Sequence, residues 1–99
     1  MAFELVVSEA AEQDIENAIA WYQNQRPGLG VEFQNELFEA VNRLGGRPRL
    51  FQEKYKKMRV CYLKRFPYGI HFKLDEGKNQ ILVVAVFHMA ENPRKWTRR

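Results

Sequence analysis

The chain has 99 residues, 45% of them hydrophobic and 13% aromatic, which fits one compact domain over 1–99 and argues against two cores or intrinsic disorder. A single cysteine, Cys61, excludes an internal disulfide framework, and two histidines without Cys/His spacing give no support to a zinc site, so neither metal nor cofactor is expected. The formal charge is only +4, the opening MAFELVVSEA has no basic n-region, and the longest apolar run, Ile81 to Phe87, is too short to span a bilayer, so a cytoplasmic protein without membrane attachment is expected.

Phe3, Leu5 and Val7 alternate with Glu4 and Val6, the period of a short strand. Ser8, followed by Glu9 and Glu12, suits a helix N-cap with acids in the first turn, where free N–H groups favour negative charge. Ala11, Ile15, Ala18, Ile19 and Tyr22 form the buried stripe of that helix, which must end near Arg26 because Pro27-Gly28 cannot continue it. Phe33, Leu37, Ala40, Val41 and Leu44 repeat the spacing in a second helix, closed by left-handed capping at Gly45-Gly46 and by Pro48. The short connection predicts an antiparallel helical hairpin.

From residue 58 the period changes to two. Met58, Val60 and Tyr62 alternate with Arg59, Cys61 and Leu63, and Phe66, Tyr68, Ile70, Phe72 and Leu74 alternate with Pro67, Gly69, His71 and Lys73. Asp75 to Asn79 reads as a hairpin turn, and Ile81 to Phe87, apolar on both faces, reads as a strand inside the sheet. The order βααβββ predicts an α+β fold with the helical hairpin packed on one face of a roughly four-stranded antiparallel sheet.

Charge is unevenly distributed: residues 1–50 carry eight acids and four bases, residues 51–99 four acids and twelve bases. The polar strand positions are expected to face away from the helices, with Arg59 and Cys61 sharing that face and His71 and Lys73 joining them. Around it would lie Lys54, Lys56, Lys57, Lys64, Arg65 and the tail Arg94, Lys95, Arg98 and Arg99, a surface suited to nucleic acid or an acidic partner, with an ordinary solvated face as the alternative. An arginine inside a regular strand offers a fixed fork of donors to phosphate or carboxylate, which singles out Arg59. His88 closes the most hydrophobic strand, either as a packed residue or as a proton carrier. Glu53, the one carboxylate in the basic loop, is either a general base or a charge partner. Arg59, His88 and Glu53 are therefore the catalytic candidates. Gly28-Leu29-Gly30 lacks the preceding strand and Lys-Ser/Thr of a P-loop, and only Ser8 is available for a serine triad.

Trp21-Tyr22, Arg26-Pro27-Gly28-Leu29-Gly30, Phe33, Pro48, Arg59, Arg65-Phe66-Pro67-Tyr68, and Ala85-Val86-Phe87-His88 with Pro93 and Trp96 together resemble the RelE/ParE toxin superfamily, most closely its ParE-like, plasmid-stabilisation branch. The resemblance covers nearly the whole chain. It implies the toxin of a type II toxin–antitoxin pair, held inactive by a cognate antitoxin, with DNA engaged only through the antitoxin complex. ParE-type members poison DNA gyrase by protein contact, whereas RelE-type members cut messenger RNA in the ribosome. Arg59 matches the RelE-type strand arginine, and Lys54, Lys56 or Lys57 its basic loop, but no tyrosine follows Tyr68 in the tail. On the ParE-like reading Arg59, His88 and the Pro93–Trp96 tail are the candidates for the functional surface, on the ribonuclease reading the Lys54–Lys57 loop binds RNA, and target or nucleic-acid binding together draws on Lys54, Lys56, Lys57, Arg59, Arg65, His71, Arg94, Lys95 and Trp96. Two departures stand out. The branch commonly continues basic after its histidine, where this chain reads His88-Met89-Ala90-Glu91-Asn92-Pro93, and His71 stands where a tyrosine is usual. A degenerate, non-toxic protein that only binds its antitoxin is thus a further alternative.

Overall fold

The computed structural model describes residues 3–97. A first strand, β1 (Glu4–Val7), leads into α1 (Glu9–Gln25) and α2 (Leu29–Gly46). A single 3-10 turn at Pro48–Leu50 precedes β2 (Glu53–Tyr55), β3 (Met58–Tyr62), β4 (Tyr68–Asp75), β5 (Gln80–His88) and a four-residue helix, α3 (Pro93–Trp96). The strands lie in the order β1-β5-β4-β3-β2. No helix among the described residues is long and apolar enough to cross a membrane.

The α+β architecture and the order of the long elements agree with the sequence reading, and two strands enlarge it. β2 adds a fifth strand, antiparallel to β3, and β1 pairs parallel with β5, so the sheet is mixed. Glu53-Lys54-Tyr55 is too short and too charged to show an alternating pattern, and its pairing is fixed by the tight turn that follows. Lys56 and Lys57 both adopt positive φ, 43° and 63°, the backbone of a two-residue hairpin whose twist matches the strands. Nor is there a left-handed cap at Gly45-Gly46: α2 runs through both glycines and the 3-10 turn at Pro48 stops it, while the only glycine at positive φ among the described residues is Gly28, ahead of α2.

Ser8 does cap α1, its Oγ accepting from the Ala11 N–H at 3.1 Å, and the same hydroxyl donates to the Val84 carbonyl at 3.4 Å. Val84 is the extra residue where the β4–β5 register shifts, His71 facing Ala85 and Phe72 facing Val83. The shift moves the core-facing positions of β5 from odd to even numbers. Ile81, Val83 and Val86 join the main core beneath the helices, whereas the buried Ala85 and Phe87 lie outside that cluster. Within the core Tyr22 stacks on Phe33 at 5.3 Å and meets Phe66 edge-on at 4.8 Å. The helices approach so closely at Gly30 that an added Cβ would lie 2.8 Å from the Ile19 carbonyl oxygen. Gly69 in β4 is equally constrained, with Val60 Cγ1 at 2.8 Å and two Tyr62 ring carbons at 3.2 Å from the position of a Cβ.

One buried polar device has no sequence signal. Glu36, 8% exposed on α2, accepts from the backbone N–H groups of Lys64 and Arg65 and so holds the β3–β4 connection against the helices. Arg65 is drawn to the same helix, 2.7 Å from Glu32, which Arg26 also reaches at 3.0 Å. Those two guanidiniums hold the Glu32 carboxyl below the ordinary glutamate range, the Arg65 hydrogen bond being the larger influence.

Glu36→Ala is expected to cost about 2–3 kcal/mol, because two backbone donors lose their acceptor, and Gly69→Ala about 1–3 kcal/mol through overpacking; chemical denaturation midpoints measure both. Since the folded-state pKa of Glu32 is depressed, its contribution to stability is present above the ordinary glutamate range and disappears as pH falls through the lowered value. Glu32→Gln should accordingly reduce the acid-side slope of the denaturation midpoint against pH and leave the neutral-to-alkaline slope unchanged.

Candidate functional site

The two faces of the sheet present different chemistry. On β3, Arg59 lies opposite Phe72 and Cys61 opposite Ile70, and both partners are core residues. Arg59 and Cys61 do share a face, but it is the helix face rather than the one turned away from the helices. Alternation states which residues share a face and not which face is covered. Cys61 fills the space against Ala40 and is fully buried, and burial pushes its thiol up despite the nearby Arg43 guanidinium. Arg59 reaches the edge of that layer with its side chain only 16% exposed. One guanidinium nitrogen donates to the carbonyls of Arg49 at 3.2 Å and Phe51 at 2.7 Å, and the other meets Glu53 at 3.4 Å. It thus fastens the 3-10 turn and β2 to β3.

The opposite face is not an open cationic surface at its centre. His71 is 1% exposed there, although the sequence reading placed it among the exposed cations. Its Nδ1 lies 2.7 Å from the Tyr55 hydroxyl, and its ring contacts Phe87 and Trp96 at centroid separations of 5.1 and 4.9 Å. Trp96, carried on α3, also lies 5.5 Å from Tyr55. Two remote pieces of chain therefore cover the sheet, β2 from the side and α3 from the C-terminus, and the buried Met58, Val60, Ala85 and Phe87 belong to this second apolar layer. Asn92 caps α3 through the Arg94 N–H at 3.0 Å, Glu91 pairs with Lys95 at 3.0 Å, and Lys56 Nζ reaches the Thr97 carbonyl at 3.0 Å. The hairpin lysines and the tail are thereby brought together, with Lys54, Lys57 and Arg94 exposed. Arg65 stands apart from them on the helix side, and Arg98 and Arg99 lie outside the described residues.

His88 ends β5 on the helix side, opposite Tyr68, whose ring it meets edge-on at 5.1 Å. Its Nδ1 accepts from the Ala90 N–H at 2.9 Å, which places the proton of the neutral ring on Nε2. Together with Asp14 and Asn17 of α1 and with Glu91 and Lys95, these two rings line a cleft of 410 Å³. Asp14 also accepts from the Val86 N–H at 3.0 Å and so ties α1 to β5. Burial, and then the proximity of Tyr22, Glu91 and Asp14, push the Tyr68 phenol above the ordinary tyrosine range. Sequence reasoning missed Asp14, Asn17 and Tyr68 as cleft residues; the i, i+3 spacing of Asp14 and Asn17 marks a common helix face but does not say what that face meets. Among the described residues no group of three or more His, Cys, Asp or Glu converges as a metal site.

Comparison with known proteins identifies the family and the fold. Residues 5–93 match the family model described as the ParE toxin of the type II toxin–antitoxin system parDE. The fold is similar to a solved structure of the chromosomal ParDE toxin–antitoxin system from P. aeruginosa, with a TM-score of 0.77 at 18% identity over 87% of this chain and 95% of that one. It is also similar to the toxin–antitoxin complex RelBE2 from Mycobacterium tuberculosis, with a TM-score of 0.61 at 13% identity over 89% of this chain and 99% of that one. No functionally curated protein matches the sequence. On the extent of the family match, which takes in α1, α2, β2 to β5 and most of β1, the chain belongs to the ParE toxin family of type II toxin–antitoxin systems.

Proposed function

We propose that the chain arrests bacterial growth by protein–protein contact with DNA gyrase and is neutralised by a cognate antitoxin. The observation that carries the contact reading over RNA cleavage is the engagement of Arg59. Cleavage through a ribose 2′-hydroxyl requires a base, an acid and a cation held ready for the charge that develops on phosphate. Arg59, the best sequence candidate for that cation, is bound to two backbone carbonyls and to Glu53, so the candidate cation and the candidate base neutralise each other. Exposed cations of the β2–β3 hairpin and the tail are brought together by the contact of Lys56 with Thr97. Lys54, Lys56, Lys57, Arg94 and Lys95 around the aromatic anchor Trp96 combine a charged rim with a rigid centre, the composition that protein interfaces use. DNA is reached only through the antitoxin complex on this reading, and the site of action is the cytoplasm.

A second reading, a non-toxic protein that retains antitoxin binding, is favoured by one observation. Ala90 and Glu91 occupy positions where the ParE-like pattern is basic, and Glu91 draws Lys95 into an ion pair.

Induction of the chain alone should stop growth and co-expression with its cognate antitoxin should restore it; the purified protein should block gyrase supercoiling and leave messenger RNA intact in a translating extract. Unimpaired growth on induction removes the gyrase reading and leaves the non-toxic one. Arg59→Ala should act on stability, costing about 1–3 kcal/mol through the carbonyls it leaves unpaired. A stably folded Arg59→Ala variant that had lost RNA cleavage would instead restore the ribonuclease reading. The double substitution Lys54→Glu/Lys57→Glu should weaken gyrase inhibition about tenfold or more through like-charge or lost-charge effects at the rim, with an unchanged melting temperature.

A further inference from the structure

We propose that the cleft between α1 and the C-terminal segment is a receptor for one arginine side chain presented by a bound polypeptide. The inference deepens the antitoxin reading and rests on it only for the identity of that polypeptide.

The cleft, 410 Å³ in volume, has the size of a side-chain receptor rather than of a pocket for a large cofactor. Its walls come from three separate parts of the chain, Asp14 and Asn17 on α1, Tyr68 and His88 at the paired ends of β4 and β5, and Glu91 and Lys95 beyond them. The chemistry of these groups is selective. Tyr68 and His88, which meet edge to face at an interplanar angle of 77°, both line the cleft, so a flat cation entering it meets aromatic side chains. Two carboxylates, Asp14 and Glu91, line the cleft against one ammonium, Lys95, which disfavours an anion such as phosphate. The metal-ligating side chains do not converge, which disfavours an ion.

A cation is already drawn to this place from within the chain. Lys95 Nζ lies 3.0 Å from Glu91 Oε2, at the end of a side chain that is 57% exposed. An ammonium is a point charge, whereas a guanidinium presents planar, forked donors that match a carboxylate in two bonds and stack on aromatic rings. An incoming arginine therefore makes contacts at Glu91 that Lys95 cannot, and it does so against a group held by an exposed, easily displaced partner. In the stretch that follows His88, Ala90 brings no charge and Glu91 brings a negative one. A net charge of +4 makes this cleft a local exception to the overall charge of the chain, which favours a specific point contact over diffuse attraction.

The probe is N-acetyl-arginine amide, titrated into the 15N-labelled chain, with N-acetyl-citrulline amide as its neutral isostere and N-acetyl-lysine amide as a charge control. Saturable shifts at the Val86 and Ala90 backbone amides and the Asn17 side-chain amide are expected with the arginine probe, about fivefold weaker binding with the lysine probe, and no saturation with citrulline. Glu91→Gln should weaken arginine binding about tenfold, and Lys95→Met should tighten it about threefold by removing the internal competitor. Both substitutions lie outside the buried core, and amide shifts elsewhere in the sheet report that the fold is kept. Equal binding of citrulline, a flat arginine titration, no loss on Glu91→Gln, or no gain on Lys95→Met would each overturn the proposal. Failure of the antitoxin reading shows elsewhere, as growth that stays arrested on co-expression with the antitoxin.

Discussion

Tyr22 is the residue through which the two layers are joined. It lies on α1, stacks on Phe33 of α2, meets Phe66 in the β3–β4 connection and touches Tyr68 at the start of β4, with ring separations of 4.8 to 6.0 Å. Such a cluster is directional, because edge-to-face and offset arrangements are preferred over free sliding, and it fixes the helical hairpin in register on the sheet. Gly30 makes the same register possible from the other side by admitting the backbone of α1. Tyr68 then carries the constraint outward to His88, so the geometry of the cleft is a direct consequence of how the helices dock.

The helix stripes were legible in the sequence because an apolar face repeating at helical spacing has one use in a chain of this size. Ala11, Ala18 and Tyr22, and Phe33, Leu37, Ala40 and Leu44, are buried as that spacing requires. Ser8 was legible for the same local reason, as an acceptor just ahead of acidic residues. The assignment of sheet faces was not. Arg59 and Cys61 alternate with Val60 and Tyr62 whichever face the helices cover, and only the long-range pairing to Ile70 and Phe72 decides it. His71 shows a second limit. In sequence it is a polar residue among apolar ones; in the fold Tyr55 and Trp96, separated from it by 16 and 25 positions, close over it.

The uneven charge along the chain likewise does not become a single basic surface. Three cations of the second half are matched to acids of the first or of their own half. Arg65 goes to Glu32, Arg59 to Glu53 and Lys95 to Glu91, while in the reverse direction Arg49 goes to Glu76. Exposed pairs of this kind contribute little stability each, but they decide which cations remain for a partner. Among the described residues, the cations carried near the aromatic anchor Trp96 are those of the β2–β3 turn and the start of α3.

One short segment serves both faces. His88 and Glu91 line the cleft on the helix side, and a few residues later Trp96 rests on His71 and Tyr55 on the far side. Lys95 sits between them, paired to Glu91 and adjacent in sequence to the tryptophan. Between β5 and α3 the segment is positioned by backbone bonds from Met89 to the Pro67 carbonyl and from Glu91 to the His88 carbonyl, and by the Asn92 cap and the Lys56–Thr97 contact. Glu91 is linked through Lys95 to the short helix that seats Trp96, so residues 88–97 run from the cleft to the aromatic face on the other side of the sheet.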